Sequence, residues 1–367
     1  MIYFGYLLFL ILMLAIERYS ARLSPIIRIL IPIVYALFIG LRGKYVGVDT
    51  HTYYDHFYTF GRWGCNFVEP GFDWINRVLF GWGYNANAFF LANAMITLFF
   101  IYLALNRLDR KRYTYTAFCM YMLTFTFLVN GMRQGIACGI FVFAYQFIEE
   151  RKPIHYCLSL LFASLFHASA LFLIPLYFLE KKHLSPPVYI GLFIFSFIGL
   201  FVDISPYIPA VEIGTRDYSR YLENVNTAQA SSLGFIITTI LNILVLALML
   251  KNRIHERYSL LFNLVFLSFL LKNLGYSLPI IGRVTIYFTW FVYFIYPIVL
   301  SEKSKPLFSN IFVARTAIIG IIIVVWLNSL LGSENRLIPY NFYWEDNVIH
   351  NLKNYENCST LYLYREV

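Results

Sequence analysis

Several basic residues of this chain stand at the ends of apolar runs, away from its main clusters of lysine and arginine. Next to hydrocarbon, such a residue is costly unless it reaches water, pairs or meets an anionic ligand. Any single one is best explained as a helix anchor or an ion-pair partner. Four or more on separate segments favour a shared anionic ligand, and the guanidinium fork suits phosphate. These residues are Arg42, Lys44, Arg62, Arg77, Arg133, Arg216, Arg220, Lys272 and Arg283.

The stretch Asn130–Ala137 lies at the centre of this pattern. It separates two apolar runs, Ala117–Val129 and Ile136–Ile148, and it places Arg133 where a membrane hairpin should turn. Two glycines within the stretch predict a tight turn and a close approach of the backbone to a ligand.

Composition defines the elements that must position these residues. Of the 367 residues, 59% are hydrophobic and only 13% are charged. No soluble domain of this length hides so much apolar surface. Apolar runs of helix-spanning length recur from end to end, which predicts an all-α, polytopic integral membrane protein forming one domain, residues 1–367.

The net charge of +9 does not indicate a nucleic-acid partner, because the basic residues fall in short clusters between apolar runs. Such clusters mark cytoplasmic loops in membrane proteins. They predict about twelve crossings with both termini outside. The predicted outer segments are two long loops, at about 42–86 and 203–232, and a tail at 332–367.

The run Ile154–Leu179 has basic residues on both flanks, so an odd number of crossings would place one flank on the wrong side. The run is longer than one membrane-spanning helix needs and shorter than two full crossings need. One interpretation is two short helices that meet outside near His167. The alternative is a single tilted helix with His167 at mid-depth.

Short motifs between the apolar runs resemble the EpsG-type branch of the Wzy polysaccharide polymerases. Each motif is short, and their order carries the resemblance from about residue 40 to 290. The matching segments are Arg42 with Val46–Thr50 and Tyr53-Tyr54, Glu69–Phe72, Arg133–Ala137, His167–Ala170, Arg216–Tyr218 with Tyr221, and Gly282-Arg283 with Tyr287. The resemblance implies a bacterial inner-membrane enzyme that joins oligosaccharide repeat units, linked to polyprenyl pyrophosphate, on the outer face. It also implies lipids and a chain-length regulator as partners.

In such a reaction a sugar hydroxyl attacks an anomeric carbon and lipid pyrophosphate leaves. Preplaced cations would stabilise the leaving group. His167 is the first candidate for the general base, and its alternative role is a hydrogen-bonded structural histidine. Asp49 and Glu69 are the alternatives, as base, as orienting group or as ion-pair partners of arginines. The residues implied to contact substrate are Arg42, Tyr53, Glu69, Arg133, Gln134, Arg216, Tyr218, Arg283 and Tyr287, with Arg133, His167 and Asp49 implied in catalysis.

Other functions leave weaker signals. No metal-ligand spacing and no phosphate-binding glycine loop occurs, so no cofactor is expected. Cys65 and Cys358 both fall in predicted outer segments, where a disulfide is allowed, but no spacing argument brings them together. A flippase for lipid-linked sugars, an O-antigen ligase and a polyprenyl-linked-sugar glycosyltransferase remain alternatives. Sequence alone names neither the sugar nor the linkage.

Overall fold

The computed structural model describes residues 2–65, 68–179, 183–201, 212–213, 216–217, 233–275, 279–299, 311–332 and 335–346. The described chain is nearly all helical, with one short antiparallel pair, Glu212–Ile213 with Arg216–Asp217. The predicted all-α class is confirmed. In chain order the α-helices are α1 Ile2–Tyr19, α2 Ser24–Gly40, α3 Thr50–Phe60, α4 Pro70–Gly81, α5 Ala86–Leu105, α6 Arg110–Leu123, α7 Phe125–Asn130, α8 Met132–Glu149, α9 Pro153–Ser164, α10 Pro186–Ser196, α11 Leu233–Lys251, α12 Ile254–Arg257, α13 Ser259–Leu274, α14 Pro279–Val299 and α15 Ile311–Leu331; 3₁₀ helices span Ala168–Phe178, Phe197–Leu200 and Tyr343–Glu345.

Length and hydropathy give the helices their membrane character. Within the described ranges, three are long and apolar enough to cross a membrane: Ile2–Tyr19, Ala86–Leu105 and Ile281–Val299. Shorter apolar helices such as Ser24–Gly40 accompany them. The chain is therefore a helical membrane protein, while the total of about twelve crossings stays a prediction.

The ends of the helices sort into two groups. At one end, which we call the basic end, Arg28 donates to Glu17 through Nε at 3.0 Å and Nη2 at 2.9 Å. Arg28 also donates to Asn106 at the end of α5, and Arg107 pairs with Glu150 after α8 at 2.8 Å. Three of the clusters predicted to be cytoplasmic, around Arg28, Arg107 and Arg151, thus share one end of the bundle.

The opposite end, which we call the site end, gathers segments predicted to be outside. The hydroxyl of Tyr3 in α1 donates to the carbonyl of Leu337 in the tail at 2.6 Å. The tail also reaches the first loop, where Gly43 N donates to Asn341 O at 2.8 Å and Tyr343 N donates to Leu41 O. The start of the chain, the first loop and the tail therefore lie together.

The first predicted outer loop contains two helices, α3 and α4. Pro70 begins α4 after the extended residue Glu69, a position that suits its fixed φ and missing N–H. The two helices bury aromatic side chains against α5, with Phe72 and Phe57 at 4.8 and 5.7 Å from the ring of Phe89. This aromatic packing makes the loop an ordered layer over the bundle.

The chain reverses direction at His167. Helix α9 ends at Ser164, and a 3₁₀ helix begins at Ala168. The hydroxyl of Tyr156 in α9 donates to the carbonyl of Leu173 in the returning segment at 2.7 Å, and its ring lies 5.8 Å from that of Tyr177. The reversal between two short helical segments is confirmed and the single tilted helix is wrong, while the position of His167 outside the membrane stays a prediction.

Helices α7 and α8 form the predicted hairpin, with Gly131 as the single residue between them. A Cβ at Gly131 would lie 2.8 Å from the ring of Phe127, and one at Gly135 would lie 2.8 Å from Leu128. Both glycines therefore permit packing within the hairpin itself. The expectation that they bring the backbone close to a ligand is not supported by these contacts.

Candidate functional site

A buried carboxylate, Glu69, lies at the centre of the site end. Its Oε2 accepts from Nη1 of Arg133 at 2.7 Å, and its Oε1 lies 3.3 Å from Nδ1 of His167. Oε1 also accepts from the backbone N–H of Ala168 at 3.3 Å. Glu69 is only 5% exposed. A single carboxylate thus joins the α7–α8 hairpin to the His167 break.

The backbone of α4 holds Glu69 in this position. Glu69 precedes the helix in an extended conformation, and Gly71, in its first turn, donates its N–H to the carbonyl of Leu165 at 2.8 Å. A Cβ at Gly71 would lie 2.8 Å from that carbonyl oxygen. Glycine is required here because the two backbones touch. The sequence Glu69–Phe72 therefore docks α4 onto the chain just before His167.

Substituting Gly71 with alanine is expected to reduce activity without removing any functional side chain. The added methyl group must push α4 away from Leu165 and shift Glu69 relative to His167. A misplacement of about 1 Å at a reacting centre costs on the order of a hundredfold in rate. Turnover of Gly71→Ala should fall roughly ten- to a hundredfold.

Gly81 provides a matched control in the same helix, because a Cβ there meets no atom within 4 Å. Gly81→Ala should retain normal turnover. Equal turnover in the two variants would contradict the proposed docking role of Gly71.

The charge state of His167 follows from its surroundings, in the break between the two helical segments. Burial lowers its pKa below the ordinary value of 6.5, the neighbouring Glu69 carboxylate opposes this shift, and the Arg133 and Arg283 cations add to it. The imidazole is therefore neutral at pH 7. A neutral imidazole is the form that accepts a proton.

Further predicted residues surround this cluster. Tyr53 on α3 lies close enough to Arg133 for the two side chains to interact electrostatically. Asp49, exposed at the start of α3, has its pKa raised from 3.8 by partial burial among neighbouring protein atoms, while the charges of Arg283 and Arg133 act in the opposite direction. Nε of Arg133 is buried and has no hydrogen-bond partner among the described residues. Two arginines, two carboxylates and one histidine therefore share the site end.

Two further residues predicted to contact substrate, Gln134 and Tyr287, instead bond to protein groups next to Arg283 and His167. Nε2 of Gln134 donates to the carbonyl of Arg283 at 2.5 Å, which fixes the start of α14 against α8. The hydroxyl of Tyr287, whose side chain is buried, lies 3.0 Å from the hydroxyl of Ser169, just after His167. The structure thus supports positioning roles for Gln134 and Tyr287.

Some predicted residues cannot be placed in the site. Only the backbone of Arg216 is described, in a two-residue strand. Tyr218 and Cys358 fall outside the described residues, so the pairing of Cys65 with Cys358 stays untested. Across the described part of the chain, no group of three or more His, Cys, Asp or Glu side chains is arranged to hold a metal ion.

Arg42 is completely buried, and its guanidinium donates hydrogen bonds to oxygen atoms of the protein. Its Nε donates to Thr50 at 3.0 Å, Nη1 to the carbonyl of Ile39 at 2.6 Å and Nη2 to the carbonyl of Val129 at 2.9 Å. The group also lies over the ring of Phe90. Arg42 therefore joins the ends of α2 and α7 to the start of α3, and this geometry gives no support to direct contact with substrate.

Substituting Arg42 with leucine is expected to destabilise the fold. Hydrogen bonds from a charged group contribute about 1.5–3 kcal/mol each, and buried carbonyls left without partners add to the loss. Detergent-solubilised Arg42→Leu should unfold at a clearly lower temperature in a thermal size-exclusion assay. Arg62→Ala, which changes an exposed arginine of the same loop, should not; an unchanged midpoint for Arg42→Leu would refute the structural role.

Sequence reasoning missed Asn130 as a connecting residue. Its Oδ1 accepts the backbone N–H of Val48 at 2.7 Å, and its Nδ2 donates to the carbonyl of Thr126. Asn130 thus ties the loop that carries Asp49 to the hairpin that carries Arg133. Its place beside the turn glycine was the available signal, but the partner across the fold was not readable.

Fold and site together define a polytopic helical membrane protein with a cluster of titratable and cationic groups at one end of its bundle. The chain belongs to the EpsG family, whose sequence model matches residues 25–342. The resemblance read from the motifs is thereby confirmed. No curated protein and no solved structure gives a significant match. Membership of this family fits a polysaccharide polymerase role in general.

Proposed function

We propose that this protein polymerises oligosaccharide repeat units linked to polyprenyl pyrophosphate, on the outer face of the bacterial cytoplasmic membrane. The observation that carries the proposal is the Glu69 carboxylate held between Arg133 and His167. It supports the proposal because a histidine and a carboxylate lie beside cations at the end of the bundle opposite the basic end. Glycosyl transfer with an anionic leaving group needs both.

His167 acts as the general base. A hydroxyl of the acceptor unit attacks the anomeric carbon of the donor chain, and His167 takes the hydroxyl proton through Nε2. The Glu69 carboxylate lies 3.3 Å from Nδ1 without the geometry of a hydrogen bond, and its negative charge favours a proton at Nδ1 and stabilises the imidazolium that forms. Asp49 is the alternative base, since its raised pKa and its position near Arg283 also suit proton transfer.

The arginines stabilise the leaving group. As the bond from the anomeric carbon to the pyrophosphate oxygen breaks, its electron pair stays with the lipid pyrophosphate, and preplaced cations lower the barrier. Arg283 is exposed, and Arg133, whose side chain is 24% exposed, has further guanidinium N–H groups besides the one that Glu69 accepts. We also assign Arg216 and Tyr218 to substrate binding on the resemblance alone.

Both donor and acceptor are lipid-linked oligosaccharides in this proposal, and the surrounding membrane lipids hold their polyprenyl chains. A chain-length regulator is a further expected partner. The proposal includes no nucleic acid as a partner. The basic clusters at the end away from the site are those of the predicted cytoplasmic loops, where lysine and arginine set the orientation of a membrane protein.

Deletion of the gene separates polymerisation from transport. We expect surface polysaccharide on a gel to lose its ladder and to retain material of a single repeat unit. Complementation with the wild-type gene should restore the ladder, and complementation with Glu69→Gln should not. Loss of all material, including the single unit, would instead indicate a flippase or exporter.

A further inference from the structure

The described part of the tail after the last apolar helix contains a stack of aromatic rings. Trp344 is 54% exposed and stacks on Phe342, with 4.5 Å between centroids and 7° between planes. Phe342 packs edge-on against Tyr340, and Tyr340 stacks on Phe38 of α2 at 4.7 Å. An exposed indole is therefore supported by rings that reach down into the bundle.

Polar contacts fix the turn that carries this indole. The backbone N–H of Phe342 donates to Glu345 at 2.9 Å. Asp346 accepts from Nδ2 of Asn341 at 2.6 Å and from the backbone N–H of Lys44 at 2.9 Å. The Trp344 ring is thus held in place before any ligand arrives, which reduces the entropy cost of binding.

The neighbourhood of the turn is charged and rich in hydroxyl groups. Lys44 pairs with Asp55 at 2.9 Å and lies 4.5 Å over the ring of Tyr54. The ring of Tyr58 lies 5.0 Å from that of Tyr54. Hydrocarbon is a poor environment for such an ion pair, whereas sugars offer both hydroxyl groups for hydrogen bonds and C–H faces for the aromatic ring.

We propose that Tyr343 and Trp344, whose ring centroids lie 5.1 Å apart on the turn that Asp346 joins to Lys44, form a saccharide platform that holds a repeat unit of the growing chain. This inference rests on the proposed function. Five residue steps separate Lys44 from Asp49, so at most about 18 Å lies between their Cα atoms. Val48 within that loop is fixed to Asn130 beside the hairpin.

Binding is tested on the full chain in lipid nanodiscs. The probe is the host's own surface polysaccharide, cut by mild acid to oligosaccharides of one to three repeat units without lipid. Trp344→Ala should weaken binding about tenfold, as expected from loss of an aromatic contact, and Trp344→Phe should lose less. Trp82→Ala is the matched control, because Trp82 is 73% exposed at the far end of α4, and it should bind normally.

The polymerisation assay gives a second readout. Trp344→Ala should raise the KM for oligomeric donor chains and shorten the polymer, while the coupling of two single units proceeds at nearly the wild-type kcat. Oligosaccharide binding by a wild-type protein that makes no polymer would refute the polymerase and leave the platform intact.

Trp residues at membrane surfaces also serve as lipid anchors, and fluorescence distinguishes the two roles. The emission of Trp344 is the difference between the wild type and Trp344→Phe. The proposal expects this emission to change with oligosaccharide and to be little quenched by brominated phosphatidylcholine. Strong quenching by the brominated lipid without a response to oligosaccharide, or unchanged affinity in Trp344→Ala, would overturn it.

Discussion

Glu69→Gln should lower turnover by roughly a hundred- to ten-thousandfold, the range typical for loss of general-base catalysis. Glutamine keeps the size of the side chain but removes the charge that pairs with Arg133 and faces His167. Breaking a buried ion pair by removing one partner costs about 3–5 kcal/mol, because the other charge remains. Activity and thermal stability should therefore both fall, which is measured as polymer formed per enzyme and as the unfolding midpoint.

Glu150→Gln is the matched control for Glu69→Gln. Glu150 also pairs with an arginine, Arg107, but at the basic end and exposed to solvent. Exposed pairs of this kind contribute little to stability. Normal polymer length is expected in Glu150→Gln. If Glu69→Gln were equally active at normal protein level, the carboxylate would have no place at the centre of the site.

His167→Ala should reduce turnover by roughly the same hundred- to ten-thousandfold factor, with little change in the binding of the pyrophosphate lipid. The arginines, not the histidine, contact the leaving group in the proposed reaction. A structural histidine would be replaced well by asparagine or glutamine, which keep a hydrogen bond. Near wild-type turnover in His167→Gln would transfer the role of base to Asp49.

The pH profile gives the same assignment an independent test. A base works only when unprotonated, and burial lowers the pKa of His167 below 6.5. The wild-type rate should therefore be flat above pH 7 and should fall as the pH drops through that lowered pKa. Glu69 raises the pKa of His167, so the residual activity of Glu69→Gln should lose rate only at still lower pH. A wild-type rate that already falls with decreasing pH above pH 7 would contradict the assignment of His167 as the base.

The arrangement of the chain was readable from sequence where charge and length constrained it. Basic flanks on both sides of Ile154–Leu179 required the chain to reverse, and the structure has the reversal at His167. Three clusters predicted to lie on one side of the membrane, around Arg28, Arg107 and Arg151, also share one end of the bundle. Placing charged residues in hydrocarbon is costly, so local sequence is enough to predict where the chain crosses the membrane and turns. Contacts between distant residues need not be known.

Ion pairs and hydrogen bonds between residues far apart in the sequence could not be predicted. Glu69 was expected to pair with an arginine, but the sequence could not select Arg133, which lies 64 positions away, from closer arginines such as Arg62 and Arg77. Arg42 was predicted to bind the ligand, yet its guanidinium donates hydrogen bonds to backbone carbonyls that only the folded chain brings near it. Its charge is visible in the sequence, whereas its acceptors are not.

The tail shows the same limit. Its sequence matched no motif, and nothing in it indicates that Asn341 and Tyr343 bond to the first loop. Those bonds join backbone groups, which every residue carries, so side-chain patterns do not reveal them. The aromatic residues of the tail become informative only once their support by Tyr340 and Phe38 is seen.

The most direct test of the proposed reaction uses purified protein in nanodiscs with lipid-linked repeat units as the sole substrate. The wild type should form a polymer ladder and release one polyprenyl pyrophosphate for each glycosidic bond made. Glu69→Gln should do both at least about a hundredfold more slowly, although it is folded and binds the lipid. A ladder of normal length from Glu69→Gln, or wild-type protein that moves the substrate across the membrane without making a bond, would contradict the account.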